Sequence, residues 1–270
     1  MIASNLFFGL SGVGQGFTPP ITTPSQIVLR DEAIVTGVSG DIIYYPADYD
    51  SSGATKYQVV VYYGGLGDGR TDRTLLNYSN IAVAGWMKTH DYNKIVIIPQ
   101  SSTGGWETFD RVKTTLDKYF NNVNGQFKDV YLKVKLISYS AGGWGIARLI
   151  ADQEPELDYL ESITISSSVL SQAYTFASEL TSRNIKTWIH CATGDGTANP
   201  ASQEEFASQI YDLNPALIRL TRYSSLPVNV HTNMQDQVYN DNGITEVQET
   251  GNYLTSYPYY EWTSGSWWDY

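Results

Sequence analysis

The residues best suited to covalent chemistry lie in the stretch LISYSAGGWG, residues 136–145, where two serines stand two positions apart. Apolar residues typical of a buried strand precede them, and a helical pattern follows. A small-x-Ser-x-small frame between a strand and a helix is typical of a nucleophile elbow, a sharp turn that presents its central serine. We therefore predict that Ser140 is the nucleophile and that Ser138 is a small spacer. A chance pattern of small residues is the alternative.

A serine nucleophile needs a general base, and the base needs an acid that orients it. The chain has three histidines. His90 precedes the serine, whereas the order that goes with a nucleophile elbow is serine, then acid, then histidine. His190 lies within a predicted strand, where a core histidine is the better interpretation. His231 follows the last predicted strand on a loop, so we predict that it is the base.

The orienting acid is expected on the loop after the strand that precedes the histidine. Asp195 stands there, in a Gly-Asp-Gly turn, and is the predicted acid. A plain turn aspartate is the alternative, because Asp-Gly is common in turns. Asp236 is a weaker substitute for the same role.

Attack on a carbonyl creates an oxyanion, which two backbone N–H groups can stabilise. Ala141 is one predicted donor, aided by the positive end of the helix that begins there. The glycine-rich segment YYGGLGDGR, residues 62–70, supplies the second. We predict Gly65, or Leu66 if the loop is shifted by one residue. A phosphate-binding loop is excluded because the G-x-x-x-x-G-K-[ST] pattern and a directly following helix are both missing.

Aromatic side chains border the mouth of this predicted site. We predict that Tyr63, Trp106 and Tyr139 contact the substrate, because flat rings suit a sugar ring or an aromatic acyl group. Ordinary packing is the alternative for each ring. The aromatic tail, residues 257–270, is interpreted as a packed C-terminal segment, with a binding surface as the alternative.

The elements that must position these residues alternate between strand and helix. Two β-type stretches, 26–38 and 41–46, predict an antiparallel start with a turn at Val38-Ser39-Gly40. Buried strands are predicted at 57–64, 94–100, 132–140, 162–166, 185–192 and 218–224. Helices are predicted between 65 and 90 and over 107–123, 143–150, 171–183 and 199–211, the last with Asn199 as N-cap and Pro200 at its first position. This order predicts an α/β fold, with a mostly parallel central sheet, helices on both faces and an antiparallel N-terminal start.

Composition bounds the class of protein. The 270 residues predict an N-terminal arm over 1–24 and a single domain over 25–270. The net charge of −11, with no run of Lys or Arg, argues against binding to nucleic acid or to an anionic membrane. The single cysteine, Cys191, excludes an internal disulfide and multi-cysteine metal sites, and we predict no metal and no cofactor.

Location and assembly stay open at this point. No apolar run reaches the ~18 residues that a membrane span needs. The N-terminus lacks the basic region of a signal peptide and is interpreted as an exposed arm. The polar, weakly charged composition is compatible with an extracellular protein, and the oligomeric state is not predicted.

Five blocks of the sequence resemble the α/β-hydrolase superfamily. The resemblance is strongest to its esterase branch, which contains feruloyl-esterase-like, polyhydroxybutyrate-depolymerase-like and predicted-peptidase proteins. The blocks span residues 57–262 and read YYGGLGDG, VIIPQSSTGGW, ISYSAGGWGIARLI, TWIHCATGDGTANPASQEEF and VNVHTNMQDQVYND followed by YYEW. The resemblance implies an α/β-hydrolase fold and a Ser140–His231–Asp195 triad.

The chain also departs from the family pattern without losing a triad group. Tyr63 replaces a histidine, Ser138 replaces the first elbow glycine, Cys191 and Ala192 replace His-Gly, and Asn229 and Val230 stand where a glycine precedes the histidine. The resemblance implies a serine esterase that acts on a small-molecule or polysaccharide ester, first of all a carbohydrate-linked acetyl or feruloyl ester. A polyester or general carboxylester is the alternative substrate. An inactive carbohydrate-binding or structural protein on a hydrolase fold is the alternative of another class.

Overall fold

The structure is a computed structural model. It describes residues 26–30, 35–66, 83, 94–103, 105–106, 110–168, 170, 176–223, 230–232 and 234. The features that lie outside these residues include the N-terminal arm, most of the helix predicted between 65 and 90, His90, Asp236 and the aromatic tail. The division of the chain into an arm and one domain therefore stays a prediction.

In the part of the chain that the structure describes, eight strands form one sheet in the order β1-β2-β4-β3-β5-β6-β7-β8. Their bounds are Gln26–Arg30 (β1), Val38–Tyr45 (β2), Tyr57–Tyr63 (β3), Ile95–Ser101 (β4), Tyr131–Tyr139 (β5), Leu160–Ser166 (β6), Lys186–Ala192 (β7) and Ile218–Tyr223 (β8). β2 pairs antiparallel with β1 and β4, and all other neighbouring strands are parallel. The predicted mostly parallel sheet with an antiparallel start is confirmed. The carboxyl ends of β3, β5, β6 and β7 thus lie side by side along one edge.

The turn that leads into β2 differs from its prediction. The chain turns around Gly37, where φ is +85°, and the N–H of Val38 donates to the carbonyl of Val35 at 3.0 Å. A left-handed φ of this kind favours glycine, which explains why the turn forms there. Ser39 and Gly40, the predicted turn residues, instead belong to β2, where a bulge shifts the register.

Within the described residues, four α-helices connect the parallel strands: Asp110–Phe120 (α1), Gly142–Ala151 (α2), Ala177–Ser182 (α3) and Pro200–Leu213 (α4). Consecutive helices contact one another, so they form a row along the sheet. The predicted cap of α4 is confirmed, because the Asn199 side chain accepts the N–H of Ala201 at 3.0 Å and Pro200 follows it. Short 3-10 helices occupy Pro155–Tyr159 and Pro215–Leu217.

The central strands are buried on both faces. Val59 and Val61 of β3 belong to the main hydrophobic core, and Val60, which points to the opposite face, is also fully buried. This is why the strand reads as a continuous apolar run and not as an alternating one. A sheet covered on both faces leaves its loops at the carboxyl edge as the place for polar chemistry.

Within the described residues, no helix is long and apolar enough to cross a membrane. The same residues hold no group of three His, Cys, Asp or Glu side chains that could bind a metal ion. Cys191 is a free, buried thiol.

Candidate active site

β5 ends in a sharp turn that presents Ser140 at the carboxyl edge of the sheet. Ser140 has a φ of +50°, in a left-handed region that costs a residue with a Cβ roughly 1–3 kcal/mol. Its N–H donates to the carbonyl of Ser166 at 3.1 Å, and its carbonyl accepts the N–H of Gly143 at 3.0 Å. A strained serine between a strand and a helix is the backbone expected of a nucleophile elbow.

The glycines that follow Ser140 allow α2 to approach its neighbours closely. A Cβ on Gly142 would lie 2.0 Å from the carbonyl oxygen of Tyr63, at the end of β3. A Cβ on Gly145 would lie 2.4 Å from Cγ2 of Val112 in α1. Because neither position has a side chain, the start of α2 can pack directly against the main chain of the glycine-rich segment after β3.

The two serines of the motif have different surroundings. Ser138 is fully buried, and its carbonyl accepts a hydrogen bond from the Ser166 hydroxyl at 3.0 Å. Ser140 is partly exposed, and its hydroxyl lies 2.7 Å from Nε2 of His231. Ser140 therefore has the accessibility and the neighbouring base that a nucleophile needs.

His231 bridges Ser140 and Asp195. It lies in a helical turn, 230–232, where the sequence predicted a loop. Its Nδ1 is 2.9 Å from Oδ2 and 3.1 Å from Oδ1 of Asp195. With the proton on Nδ1, as a carboxylate partner favours, Nε2 is left to accept the hydrogen bond of the serine hydroxyl.

Asp195 lies in the turn after β7 with its side chain fully buried. Its Oδ1 accepts the N–H groups of Thr197 and Ala198, each at 2.9 Å, in addition to the contact with His231. Burial alone would raise the pKa of Asp195, but these hydrogen bonds outweigh it and lower the pKa below its ordinary value. The carboxylate is therefore ionised and well placed to hold the imidazole.

Two sets of contacts around these residues were not predicted. The bonds from Thr197 and Ala198 have a signal in the sequence, because an aspartate in a turn commonly accepts the N–H two residues on. The second contact is a hydrogen bond from the Tyr139 hydroxyl to the carbonyl of His231, at 2.8 Å and 92 residues apart. Nothing in the sequence pattern indicated that pairing.

The predicted oxyanion donors lie around the same serine. Ala141 precedes the first residue of α2, with its N–H at the positive end of that helix. A Cβ on Gly65 would lie 3.4 Å from Cβ of Ser140, so the backbone of the glycine-rich segment closely approaches the serine. Leu66 is next in the chain and 60% exposed. The choice between Gly65 and Leu66 stays a prediction.

The three aromatic side chains predicted to contact substrate are buried. Tyr63 is 0%, Trp106 2% and Tyr139 7% exposed. The rings of Tyr63 and Trp106 pack edge to face with centroids 4.7 Å apart. Ordinary packing, the alternative interpretation, accounts for these two rings in this structure.

Of the other two histidines, the structure describes one, and that one is not part of the group. His190 lies in β7 at 2% exposure, as the core interpretation predicted, and burial lowers its pKa to about 3. His90 lies outside the described residues.

No protein-family model and no curated protein matches the sequence. Its fold does match solved structures. A thermostable esterase aligns with a TM-score of 0.59 and 15% identity over 77% of this chain and 58% of its own. A mutant feruloyl esterase module from Clostridium thermocellum, complexed with sinapinate, aligns with a TM-score of 0.54 and 12% identity over 87% of this chain and 93% of its own. A butyrate-bound thermophilic esterase from the planctomycete Thermogutta terrifontis aligns with a TM-score of 0.51 and 15% identity over 74% of this chain and 84% of its own.

At these identities the similarity concerns the fold. The chain spans 58% of the length of the thermostable esterase, and almost all of the feruloyl esterase module. The sheet order, the antiparallel β2 and the elbow after β5 agree with the resemblance found in the sequence. The chain therefore has the α/β-hydrolase fold.

Proposed function

We propose that the protein is a serine esterase that hydrolyses carboxylic esters through an acyl-enzyme on Ser140. The observation that carries this proposal is the chain of hydrogen bonds from Ser140 Oγ to His231 Nε2, at 2.7 Å, and from His231 Nδ1 to Asp195, at 2.9 Å. A serine activated by a histidine that a buried carboxylate orients is the arrangement required for acyl transfer. The fold, which is shared with esterases, supports the same activity.

In the acylation step, Ser140 Oγ attacks the ester carbonyl carbon and its proton passes to Nε2 of His231. The carbonyl oxygen becomes an oxyanion, which the N–H groups of Ala141 and of Gly65 or Leu66 stabilise. Asp195 stabilises the imidazolium that forms. When the tetrahedral intermediate collapses, the ester C–O bond breaks, and the alcohol leaves with the proton from His231.

In the deacylation step, a water molecule takes the place of the alcohol. His231 accepts a proton from the water as it attacks the acyl carbon, and the second tetrahedral intermediate collapses to release the carboxylic acid. Ser140 recovers its proton from His231. The cycle needs no cofactor beyond the side chains of this chain.

For the substrate, we propose a carbohydrate-linked ester of the acetyl or feruloyl type. The resemblance of the sequence to feruloyl-esterase-like proteins supports this choice, as does the structural similarity to a feruloyl esterase module with sinapinate bound. A general carboxylester is the second candidate, because a neighbour of similar fold holds butyrate.

The proposal is tested with a fluorophosphonate probe and with p-nitrophenyl acetate. We expect the protein to be labelled and to hydrolyse the ester, and Ser140→Ala to lose both. Ser138→Ala is the matched control, because it removes a hydroxyl from the fully buried serine of the same motif and should keep both activities. Persistent labelling or turnover in Ser140→Ala would contradict the assignment. A folded protein that is inactive towards both reagents would favour the binding or structural alternative.

The substrate class is tested separately by kcat/KM for methyl ferulate, acetylated xylo-oligosaccharides and p-nitrophenyl butyrate. A higher kcat/KM for methyl ferulate supports the feruloyl type, and a higher kcat/KM for the acetylated xylo-oligosaccharides supports the acetyl type. A higher value for the butyrate ester supports a general carboxylesterase.

A further inference from the structure

We propose that Tyr139 is a positioning residue, which holds the main chain and the imidazole of His231 in line with Ser140. This inference rests on the proposed function, because it concerns the residues assigned there as nucleophile and base. It assigns to Tyr139 a role different from the substrate contact that the sequence predicted.

The first support is the hydrogen bond between Tyr139 and the base. The Tyr139 hydroxyl donates to the main-chain carbonyl of His231 at 2.8 Å. Tyr139 is the last residue of β5 and directly precedes Ser140. The hydrogen bond therefore ties the segment that carries the base to the strand end that carries the nucleophile.

The second support is the packing of the Tyr139 ring. Its centroid lies 5.3 Å from that of the His231 imidazole, and the two planes are tilted by 32°. A Cβ on Gly65 would lie 3.0 Å from Cε1 of the ring, so the ring also packs against the glycine-rich segment. One side chain thus contacts the base and the segment predicted to stabilise the oxyanion.

The third support is burial. Tyr139 is 7% exposed, which leaves a substrate little of its surface to contact. Two contacts restrain the imidazole of His231 itself: Asp195 at Nδ1 and the neighbouring ring of Tyr139. A third, from the Tyr139 hydroxyl, restrains the main chain of His231. Loss of the last restraint should loosen the approach of Nε2 to Ser140 Oγ without changing how substrate binds. Misplacing a catalytic group in this way lowers the rate of the chemical step.

Tyr139→Phe tests the proposal, because it removes the hydroxyl and keeps the ring. Tyr131→Phe is the matched control. Tyr131 opens the same strand, and its hydroxyl also donates to a main-chain carbonyl, that of Phe120, at 3.2 Å. For p-nitrophenyl acetate, we expect Tyr139→Phe to lower kcat about three- to tenfold with KM changed less than about twofold, as the loss of one neutral hydrogen bond implies. Tyr131→Phe should change neither value.

A readout that needs no turnover complements the kinetics. The proton between His231 Nδ1 and Asp195 can be followed by proton NMR as a downfield resonance that His231→Ala abolishes. We expect this resonance to shift or to exchange faster with solvent in Tyr139→Phe and to be unchanged in Tyr131→Phe. A purely structural role for Tyr139 would lower the thermal stability and leave the resonance of the folded protein in place.

The outcomes separate this inference from the proposed function. If Ser140→Ala keeps its turnover, the proposed function fails first. If Ser140→Ala is inactive but Tyr139→Phe matches Tyr131→Phe in kcat and in the resonance, only the positioning role is overturned. A rise in KM with kcat unchanged would also overturn it, because that result assigns Tyr139 to substrate binding.

Discussion

Two histidines of this chain pack against aromatic rings but have opposite surroundings. His190, in β7, lies against Trp188, with ring centroids 4.6 Å apart, and against Tyr223, at 6.2 Å. Its Nδ1 is 3.4 Å from the Tyr223 hydroxyl, and its Nε2 has no hydrogen-bond partner among the described residues. His231 packs against Tyr139 but has a carboxylate at Nδ1 and a serine hydroxyl at Nε2.

The comparison shows what distinguishes a core histidine from a candidate base. Burial lowers the pKa of His190 to about 3, so the ring stays neutral and packs between two aromatic rings in the core. A buried carboxylate beside His231 favours the imidazolium that proton transfer creates, and partial exposure gives the ring access to a reaction. The type of residue is the same, and its neighbours determine what it can do.

The largest expected effect comes from replacing His231, the candidate base of the two histidines. His231→Ala should lower kcat for p-nitrophenyl acetate by about 10⁴- to 10⁶-fold, as removal of a catalytic histidine does in serine hydrolases. His190→Phe fills the space between two aromatic rings and should leave kcat within about threefold. Steady-state kinetics of the two variants checks this, and a similar loss in both would mean that the two sites are not distinct.

The next effect concerns the carboxylate that His190 lacks. Asp195→Asn should lower kcat by about 10⁴-fold, because the amide can still accept the N–H groups of Thr197 and Ala198 but favours the wrong tautomer of His231. Asp50→Asn is the control, since Asp50 likewise accepts an N–H two residues on, from Ser52 at 2.8 Å, but its own N–H donates to the hydroxyl of Tyr57, the first residue of β3, at the end of that strand opposite to the carboxyl edge. Near-normal turnover in Asp195→Asn would remove Asp195 from the proposed mechanism.

The third effect appears in stability. Below pH about 6.5 the unfolded chain protonates His190, whereas the folded chain does not until its pKa of about 3. The free energy of unfolding should therefore fall by about 1.4 kcal/mol per pH unit across this window. Urea unfolding measures this free energy. Between pH 7 and pH 5 it should fall by about 2 kcal/mol less in His190→Phe than in the unmodified protein.

The titration of Asp195 does not affect the unfolding experiment, because it occurs below the range of pH 5 to pH 7. Its lowered pKa makes it a stabilising group above the ordinary range of aspartate, near pH 4, and its contribution is lost only as the pH falls further. Titrating groups common to both proteins cancel in the difference. Parallel pH dependence in the two proteins would show that His190 titrates normally when folded.

The smallest effect concerns the tyrosine beside His190. Tyr223→Phe removes a hydroxyl whose contact with Nδ1, at 3.4 Å, is long, so the free energy of unfolding should fall by less than about 1 kcal/mol. Turnover should not change, unlike the loss expected for Tyr139→Phe. Urea unfolding and an activity assay on the same samples distinguish the two tyrosines.

Much of the fold could be predicted from local patterns. The parallel strands β3 to β8 and helices α1, α2 and α4 are confirmed within a few residues, because buried strands and amphipathic helices have distinct periods. The turn was predicted at Val38-Ser39-Gly40 but lies around Gly37, since Ser39 and Gly40 are equally good turn residues and only the pairing of β2 with β4 assigns them to a strand.

The sequence by itself determined the succession of strands and helices along the chain, the small-residue frame around Ser140 and the turn on which Asp195 stands. These depend on residue type and spacing along the chain. Only the tertiary structure decided that the three side chains meet, that Tyr63 and Trp106 face the interior, and that the Tyr139 hydroxyl reaches the carbonyl of His231. Such contacts join residues far apart in sequence, so they exist only once the sheet brings the ends of its strands together.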